Sequence, residues 1–512
     1  MGVARTLAIA LQGLRGAPVD VEASISAGLP KFKLIGLPDA SLAEAAHRVL
    51  AAASNSGCSL SQSRVTVNLS PAVLPKHGSG FDLGIALAAL AADGKLSKSS
   101  IERTVHLGEL GLDGRVRPVL GVLPAVHAAI RAGAKRVVVP AGNVEEARLV
   151  AGADIVPVGS LREAAIRHGA ALTPVEVEPV LAVPSPENRT DETDLSDVIG
   201  NEQAVRSLVV AAAGAHHLFF VGPPGAGKTM LAERMPGILP DLDASAALEA
   251  TSIRSLTELG SATELVTRPP YEAPHHTASA AALVGGGSSR IRPGAAVRAT
   301  HGVLFLDEAP EFQRNALDAL RQPLESGFVS ISRANQQATY PAEFQLVIAA
   351  NPCPCGLFGV TGNGDCTCSP GRRRAYLARV SGPLLDRIDL QLSLRRLSPA
   401  QLRRGDEERR LSSDEARKRV IAARGAAAER FAGLPWRVNA RIPSRWLTDG
   451  PGRLPRNITA ALEKHYQGSG MTMRGFVRVL RVAWTLADLD GASSPGAAHL
   501  GEALALRDRR AA

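Results

Sequence analysis

The sequence predicts an α/β protein of several domains, and three observations carry that expectation. Its 512 residues exceed what a single hydrophobic core organises. Strand-like apolar runs alternate with helical patterns as far as about residue 397. One of those runs, Leu218 to Val221, leads straight into a glycine-rich turn that opens a helical pattern, which is how a parallel sheet presents backbone N–H groups to a phosphate. Composition agrees, since 45% hydrophobic and 21% charged residues is the balance of a globular chain in water. No apolar run approaches the ~18 to 20 residues of a membrane span, so no membrane partner is expected and a cytoplasmic location is.

Residues 1–171 read as one α/β domain. "MGVARTLAIALQGLRGAPVDVEA" alternates as strands do, "RVTVNLSP" reads as a strand and "DLGIALAALAAD" as a helix. "TVHLGELGLDGRVRPV" then reads as a hairpin turning at Asp113-Gly114, followed by a helix stopped by Gly133 and the strand "RVVVP". Residues 172–195 contain four prolines and a run of acidic residues without period, the pattern of an exposed linker. An α/β pattern returns over 196–397, and Arg/Ala/Leu-rich helical stretches fill 398–512.

The chemistry is concentrated in the third segment. Gly222-Pro223-Pro224-Gly225-Ala226-Gly227-Lys228-Thr229 is a P-loop in which glycines let N–H groups curl round phosphate oxygens. Lys228 supplies a point charge for the β- and γ-phosphates, and Thr229 a hydroxyl for Mg²⁺. Val303 to Leu306 reads as a buried strand ending in Asp307, placed for Mg²⁺, and Glu308, placed to deprotonate an attacking water. A third strand, "FQLVIAAN", ends in Asn351, which either positions that water or forms a turn before Pro352. ATP and Mg²⁺ are the cofactors implied, and ATP hydrolysis the reaction.

Four of the five cysteines, Cys353, Cys355, Cys366 and Cys368, form two C-x-C pairs within the loop 351–370. They suit a tetrahedral Zn²⁺ site, although one intervening residue is tighter than the common C-x₂₋₄-C knuckle and free thiols are the alternative. Cys58 stands apart as a buried thiol. The net charge of +9 favours a polyanionic partner or a merely solvated basic surface. Arg372, Arg373 and Arg374 are candidate DNA contacts beside the cysteine loop.

"GPPGAGKTMLAERMPGILP", "APHHTASAAALVGGG", "GVLFLDEAPEF", "LRQPLESGFVSISRA", "ANPCPCG", "SGPLLDRIDL" and "RGFVRVLRVAWTLADL" together resemble the magnesium-chelatase-like AAA+ ATPases, specifically the ComM/YifB family, over nearly the whole chain. The resemblance implies a AAA+ core with a C-terminal helical lid, assembled as a homo-hexameric ring with ATP between subunits. It assigns Arg387 as an arginine finger reaching the neighbour's site and Arg474 as a lid arginine sensing the γ-phosphate. It also implies a pore hairpin carrying Arg333 as a DNA contact. His275 and His276 are adjacent, and two adjacent histidines of a helix cannot face one metal, so they are not taken as ligands.

The first domain resembles the S5-like proteolytic domain of Lon. The alignment brings Gly80 to the serine nucleophile, with Ser79 one residue away, and Leu123 to the lysine, which implies an inactive binding or assembly module. The function implied is an ATP-driven motor on single-stranded or branched DNA, a helicase that migrates branches in recombination or natural transformation. The alternatives are a chelatase-type motor acting on a protein partner and an ATP-gated scaffold.

Overall fold

A computed structural model of the chain describes residues 2–36, 39, 42, 44–60, 64–181, 193–257, 262–287, 291–333, 336–359, 366–396, 410–469 and 471–507. Its first 36 residues begin a seven-stranded sheet with Gly2–Gln12 and Arg15–Ser26, antiparallel about a tight turn at Gly13, whose φ of +67° calls for glycine. The order is Lys31–Ile35, Arg64–Ser70, Arg15–Ser26, Gly2–Gln12, Thr104–His106, Arg136–Pro140 and Asp154–Val158. Both faces are covered. In Arg136–Pro140, Val138 joins one apolar cluster while Val137 and Val139 join another on the opposite face.

The helix Asp82–Ala92 is buried at every position, as its all-apolar circumference demands. Its Asp82 is held by Arg48, with Nε–Oδ2 at 2.6 Å. The expected hairpin is present as Glu109–Leu110 against Val116–Arg117. Beyond it the helix Val122–Arg131 ends where Gly133 adopts φ +90° and donates back to the Ile130 carbonyl.

The second sheet has five parallel strands in the order Tyr271–Glu272, Val303–Leu306, Gln345–Ala350, Leu218–Val221 and Leu390–Ser393. Its apolar runs alternate between two cores. Leu218, Phe220, Val303, Phe305, Val347 and Ala349 face one, while Phe219, Leu304, Leu306, Leu346, Ile348 and Ala350 face the other. Val221 pairs with Ala350 and Leu306 with Ile348, so Gly222, Asp307 and Asn351 leave the sheet along one edge. That carboxyl edge is where open α/β sheets bind ligands.

The helices Ser413–Arg430 and Met473–Leu489 share a core with this sheet, with Val420, Ala423, Val479 and Ala483 clustering with Val210, Ala212 and Phe220. The helical segment therefore packs on the sheet. The expected linker also differs at its end. Residues 172–181 form no regular element and 182–192 lie outside the described residues, but Asp194 and Leu195 are anchored. The Leu195 N–H donates to Ser413 Oγ at 2.8 Å, and Arg234 donates to the Asp194 carbonyl at 2.8 Å.

The two sheets are joined by packing. The Gly121 N–H donates to the Ser255 carbonyl at 2.9 Å, and Leu11 and Leu14 pack into the second sheet's core. Between them lies a cavity of about 300 Å³ bounded by Ser79, Glu109, Leu256 and Tyr340. Among the described residues no helix is long and apolar enough to cross a membrane.

Candidate functional site

The loop after Leu218–Val221 has the backbone that its glycines permit. Gly225 and Gly227 adopt φ of +77° and +85°, and a Cβ at either would meet nothing within 4 Å, so conformation and not space selects glycine there. The helix Lys228–Ile238 starts from Gly227 with no side-chain cap, which leaves its first N–H groups for an external acceptor.

Five side chains converge on this loop. Lys228 is buried, and its Nζ donates to the carbonyls of Gly222 at 2.7 Å and Pro223 at 3.0 Å and to Asn351 Oδ1 at 3.2 Å. Burial lowers its pKa, and Asp307 and Glu308 work against that shift. Thr229 Oγ1 donates to Asp307 Oδ2 at 2.8 Å. Asp307 Oδ1 accepts the Glu308 N–H at 2.8 Å, and Glu308 itself sits in the left-handed region at φ +48°.

A hydroxyl and a carboxylate in contact are the hard oxygen donors that Mg²⁺ takes, so these residues fit that ion. The arrangement can bind a polyphosphate against a lysine and a helix start, with a carboxylate beside it to accept a proton.

The arginines are placed differently from one another. Arg387 is buried, bonded through Nη2 to Glu325 and through Nη1 to the Pro383 carbonyl, while its Nε has no partner among the described residues. In the single chain it is therefore tied back, and reaching a neighbour requires the Glu325 pair to open. Arg474 is exposed in the first turn of Met473–Leu489, which Thr472 caps by accepting the Gly475 N–H at 3.1 Å.

The backbone of Arg333 closes the hairpin Phe328–Arg333 / Gln336–Pro341 opposite Gln336, and its side chain lies outside the described residues. Arg372 and Arg374 are exposed on the helix Pro370–Leu377, whereas the Arg373 guanidinium stacks 3.7 Å from the Phe358 ring centroid.

The four cysteines of the loop come together. Cys353 Sγ lies 3.3 Å from Cys355 Sγ and 3.7 Å from Cys366 Sγ, Cys355 and Cys366 are 3.6 Å apart, and all four sulfurs including Cys368 lie within 4.8 Å of one another. A disulfide is absent from this cluster. Burial acts to raise the Cys353 pKa, but the Phe358 N–H and the neighbouring thiols outweigh it and draw it down to about 7. Cys58 is buried, as expected.

In the first sheet, Ser79 Oγ donates to Glu109 and Leu123 is fully buried in an apolar cluster. Gly80 accepts the Gly108 N–H at 3.0 Å. The nearby Lys76 ammonium bonds three backbone carbonyls, those of Gly36, Leu69 and Pro71, so serine and amine do not form a dyad.

Three contacts were not foreseen. His275 and His276 lie in a turn and not on a helix, and His276 Nδ1 is 3.3 Å from Glu308 Oε2. Arg478 bonds the Asp386 carbonyl at 2.8 Å and Asp389 Oδ1 at 2.5 Å, tying the helix of Arg474 to the segment of Arg387. Burial of Asp389 opposes ionisation, but Arg478 and His216 hold its pKa well below the usual carboxylate value. The third is the Glu325 partner of Arg387. None of the three carried a signal in the sequence, since each depends on contacts between segments distant along the chain.

Comparison with known proteins accounts for most of the chain. Profiles described as magnesium chelatase, subunit ChlI; subunit ChlI of Mg-chelatase; and magnesium chelatase, subunit ChlI C-terminal match residues 194–402, 21–143 and 410–507. An uncharacterised protein of Mycobacterium tuberculosis is 47% identical over 99% of both chains. The competence protein ComM of Haemophilus influenzae is 40% identical over 99% of this chain and 98% of its own length. YifB of Escherichia coli, also uncharacterised, is 40% identical over 97% of this chain and 95% of its own.

Proposed function

The chain belongs to the ComM/YifB family of magnesium-chelatase-like AAA+ ATPases, and from that premise we propose that it is a cytoplasmic homo-hexameric ring that spends ATP to move on single-stranded or branched DNA. The work would be helicase or branch-migration activity in recombination or natural transformation. The observation that carries this reading is the convergence of Lys228, Thr229, Asp307 and Asn351 at one sheet edge.

In this reading Gly222 to Gly227 cradle the phosphates and Lys228 exchanges its carbonyl partners for phosphate oxygens. Thr229 and Asp307 would hold Mg²⁺, which supplies charge neutralisation at the phosphates when bound. Glu308 orients a water and takes its proton, Asn351 fixes that water's position, and Arg474 contacts the γ-phosphate. Arg387, released from Glu325 on assembly, stabilises the phosphoryl charge of the neighbouring subunit, a role worth ~10³ to 10⁵ in rate.

Arg333, Arg372 and Arg374 are the DNA contacts, and the net charge of +9 supports a polyanionic partner. Arg373, already stacked on Phe358, contributes less. The four thiols hold a structural Zn²⁺. The first sheet is a Lon-like, S5-like domain without protease chemistry, because the Ser79 hydroxyl is bonded to Glu109 and Leu123 brings no amine.

The second reading, a chelatase-type motor on a protein partner, is favoured by the descriptions of the matching profiles, one of which covers residues 21–143 of the Lon-like domain, and opposed by the full-length likeness to ComM and YifB. ATPase rates with and without branched DNA, in the natural chain and in Glu308→Gln, decide between them. DNA stimulation that vanishes in the variant is the expected result. Hydrolysis indifferent to DNA supports the second reading, and absent hydrolysis supports an ATP-gated scaffold.

A further inference from the structure

We propose that the cysteine cluster is part of the nucleotide site: its metal holds the Asn351 strand end and the phosphate loop in register, so that zinc occupancy sets ATP affinity. This rests on the zinc reading above and goes beyond a local staple.

The metal geometry comes first. A tetrahedron with Zn–S bonds of about 2.3 Å has S–S edges of about 3.8 Å. The sulfur separations of 3.3, 3.6 and 3.7 Å lie near that edge length. Cys353 and Cys368 are buried while Cys355 is exposed, and the loop's own apolar residues, Leu357 and Phe358, are 40% and 45% exposed. Among the described residues of this loop no apolar side chain beyond the cysteines forms a core. A metal bonded to four thiolates supplies the missing cross-link.

The path to the nucleotide is short and covalent on one side. Cys353 follows Asn351 by two residues, and Asn351 Oδ1 accepts from Lys228 Nζ at 3.2 Å. On the other side the chain turns tightly, the Gly356 N–H donating to the Cys353 carbonyl at 3.0 Å. Gly356 then lies against Pro224 of the phosphate loop. It has φ +76°, and a Cβ there would come within 2.9 Å of Pro224 Cδ and 3.0 Å of Cγ. Cys353 and Cys355 thus lie in the tight turn that ends at Gly356, the residue against the phosphate loop, and the metal fixes that turn to Cys366 and Cys368.

The experiment uses the full chain. Zinc per chain is measured by elemental analysis, and mant-ATP affinity is measured before zinc removal, after a zinc-selective chelator has stripped the metal and been dialysed away with Mg²⁺ present, and after zinc is returned. One zinc per chain, an affinity loss of at least about tenfold on stripping, and recovery on return are expected. Gly356→Ala separates coupling from unfolding, because it keeps all four thiols. Full zinc with weakened mant-ATP binding is expected for it. Unchanged affinity in the stripped protein overturns the coupling whatever Gly356→Ala shows, while leaving the zinc site standing, and a chain that holds no zinc overturns the site itself.

Discussion

Lys228 and Lys76 are the same side chain in nearly the same local situation, and only Lys228 lies in the candidate functional site. Each is buried, and each ammonium is satisfied by backbone carbonyls, those of Gly222 and Pro223 for Lys228 and those of Gly36, Leu69 and Pro71 for Lys76. The difference is in the surroundings. Lys228 starts an uncapped helix, touches Asn351 and feels Asp307 and Glu308, so a phosphate can replace its carbonyls at little cost. Lys76 has 0% exposure and ties three carbonyls at the ends of neighbouring strands together. Burial with saturated partners marks structure, whereas burial with exchangeable partners beside unquenched donors marks chemistry.

Substitutions at the two lysines should therefore separate cleanly. Lys228→Ala is expected to lower ATP turnover at least about 100-fold while the melting temperature stays within error. A melting temperature that falls with it would place Lys228 with Lys76. Lys76→Met should do the reverse, costing about 1 to 3 kcal/mol in chemical denaturation because the buried Leu69 carbonyl and the part-buried Gly36 and Pro71 carbonyls lose their shared donor, with mant-ATP affinity of the folded protein unchanged.

A smaller effect comes from the buried histidines of the first sheet. His106 and His168 face each other at 3.0 Å between Nε2 atoms; burial, then His168, lowers the His106 pKa, and burial, then Arg136 and Arg167, takes His168 to about 4. The folded state keeps both neutral while the unfolded chain protonates them below the ordinary histidine value of 6.5, so stability is intact above 6.5 and drains away as pH falls toward 4. Urea titrations across that range should show the loss, and His168→Asn should flatten it. A slope unchanged in that variant would assign the loss to other groups. Smallest of all, Ser79→Ala should leave ATP turnover within error in the same assay, because the Ser79 hydroxyl serves Glu109 and not a reaction.

The site was legible where chemistry is carried by neighbours in sequence. Gly222 to Thr229 and Asp307-Glu308 announce themselves through glycine spacing and carboxylates ending an apolar run, and the four clustered cysteines through their rarity. The alternation in residues 2–26 and the apolar circumference of Asp82–Ala92 made the first sheet and its central helix readable.

What stayed hidden depends on sheet order and on contacts between distant segments. His276 reaches Glu308 because the Tyr271–Glu272 and Val303–Leu306 strands are neighbours. Glu325 captures Arg387, and Arg478 spans to Asp389, across intervals that carry no period. The helical composition of 398–512 was readable, but not that Met473–Leu489 would share the ATPase sheet's own core.

The central claim is that one subunit's Arg387 completes the site that another subunit's Glu308 serves, and mixing tests it most directly. Arg387→Ala and Glu308→Gln chains should each be nearly inactive alone. Combined in equal amounts under assembly conditions, about a quarter of their interfaces pair an intact Glu308 with an intact Arg387 in a head-to-tail ring, and ATP turnover should recover toward that fraction of the natural rate. Arg387→Ala chains that hydrolyse ATP normally by themselves, or mixtures that stay as inactive as their components, would contradict the account.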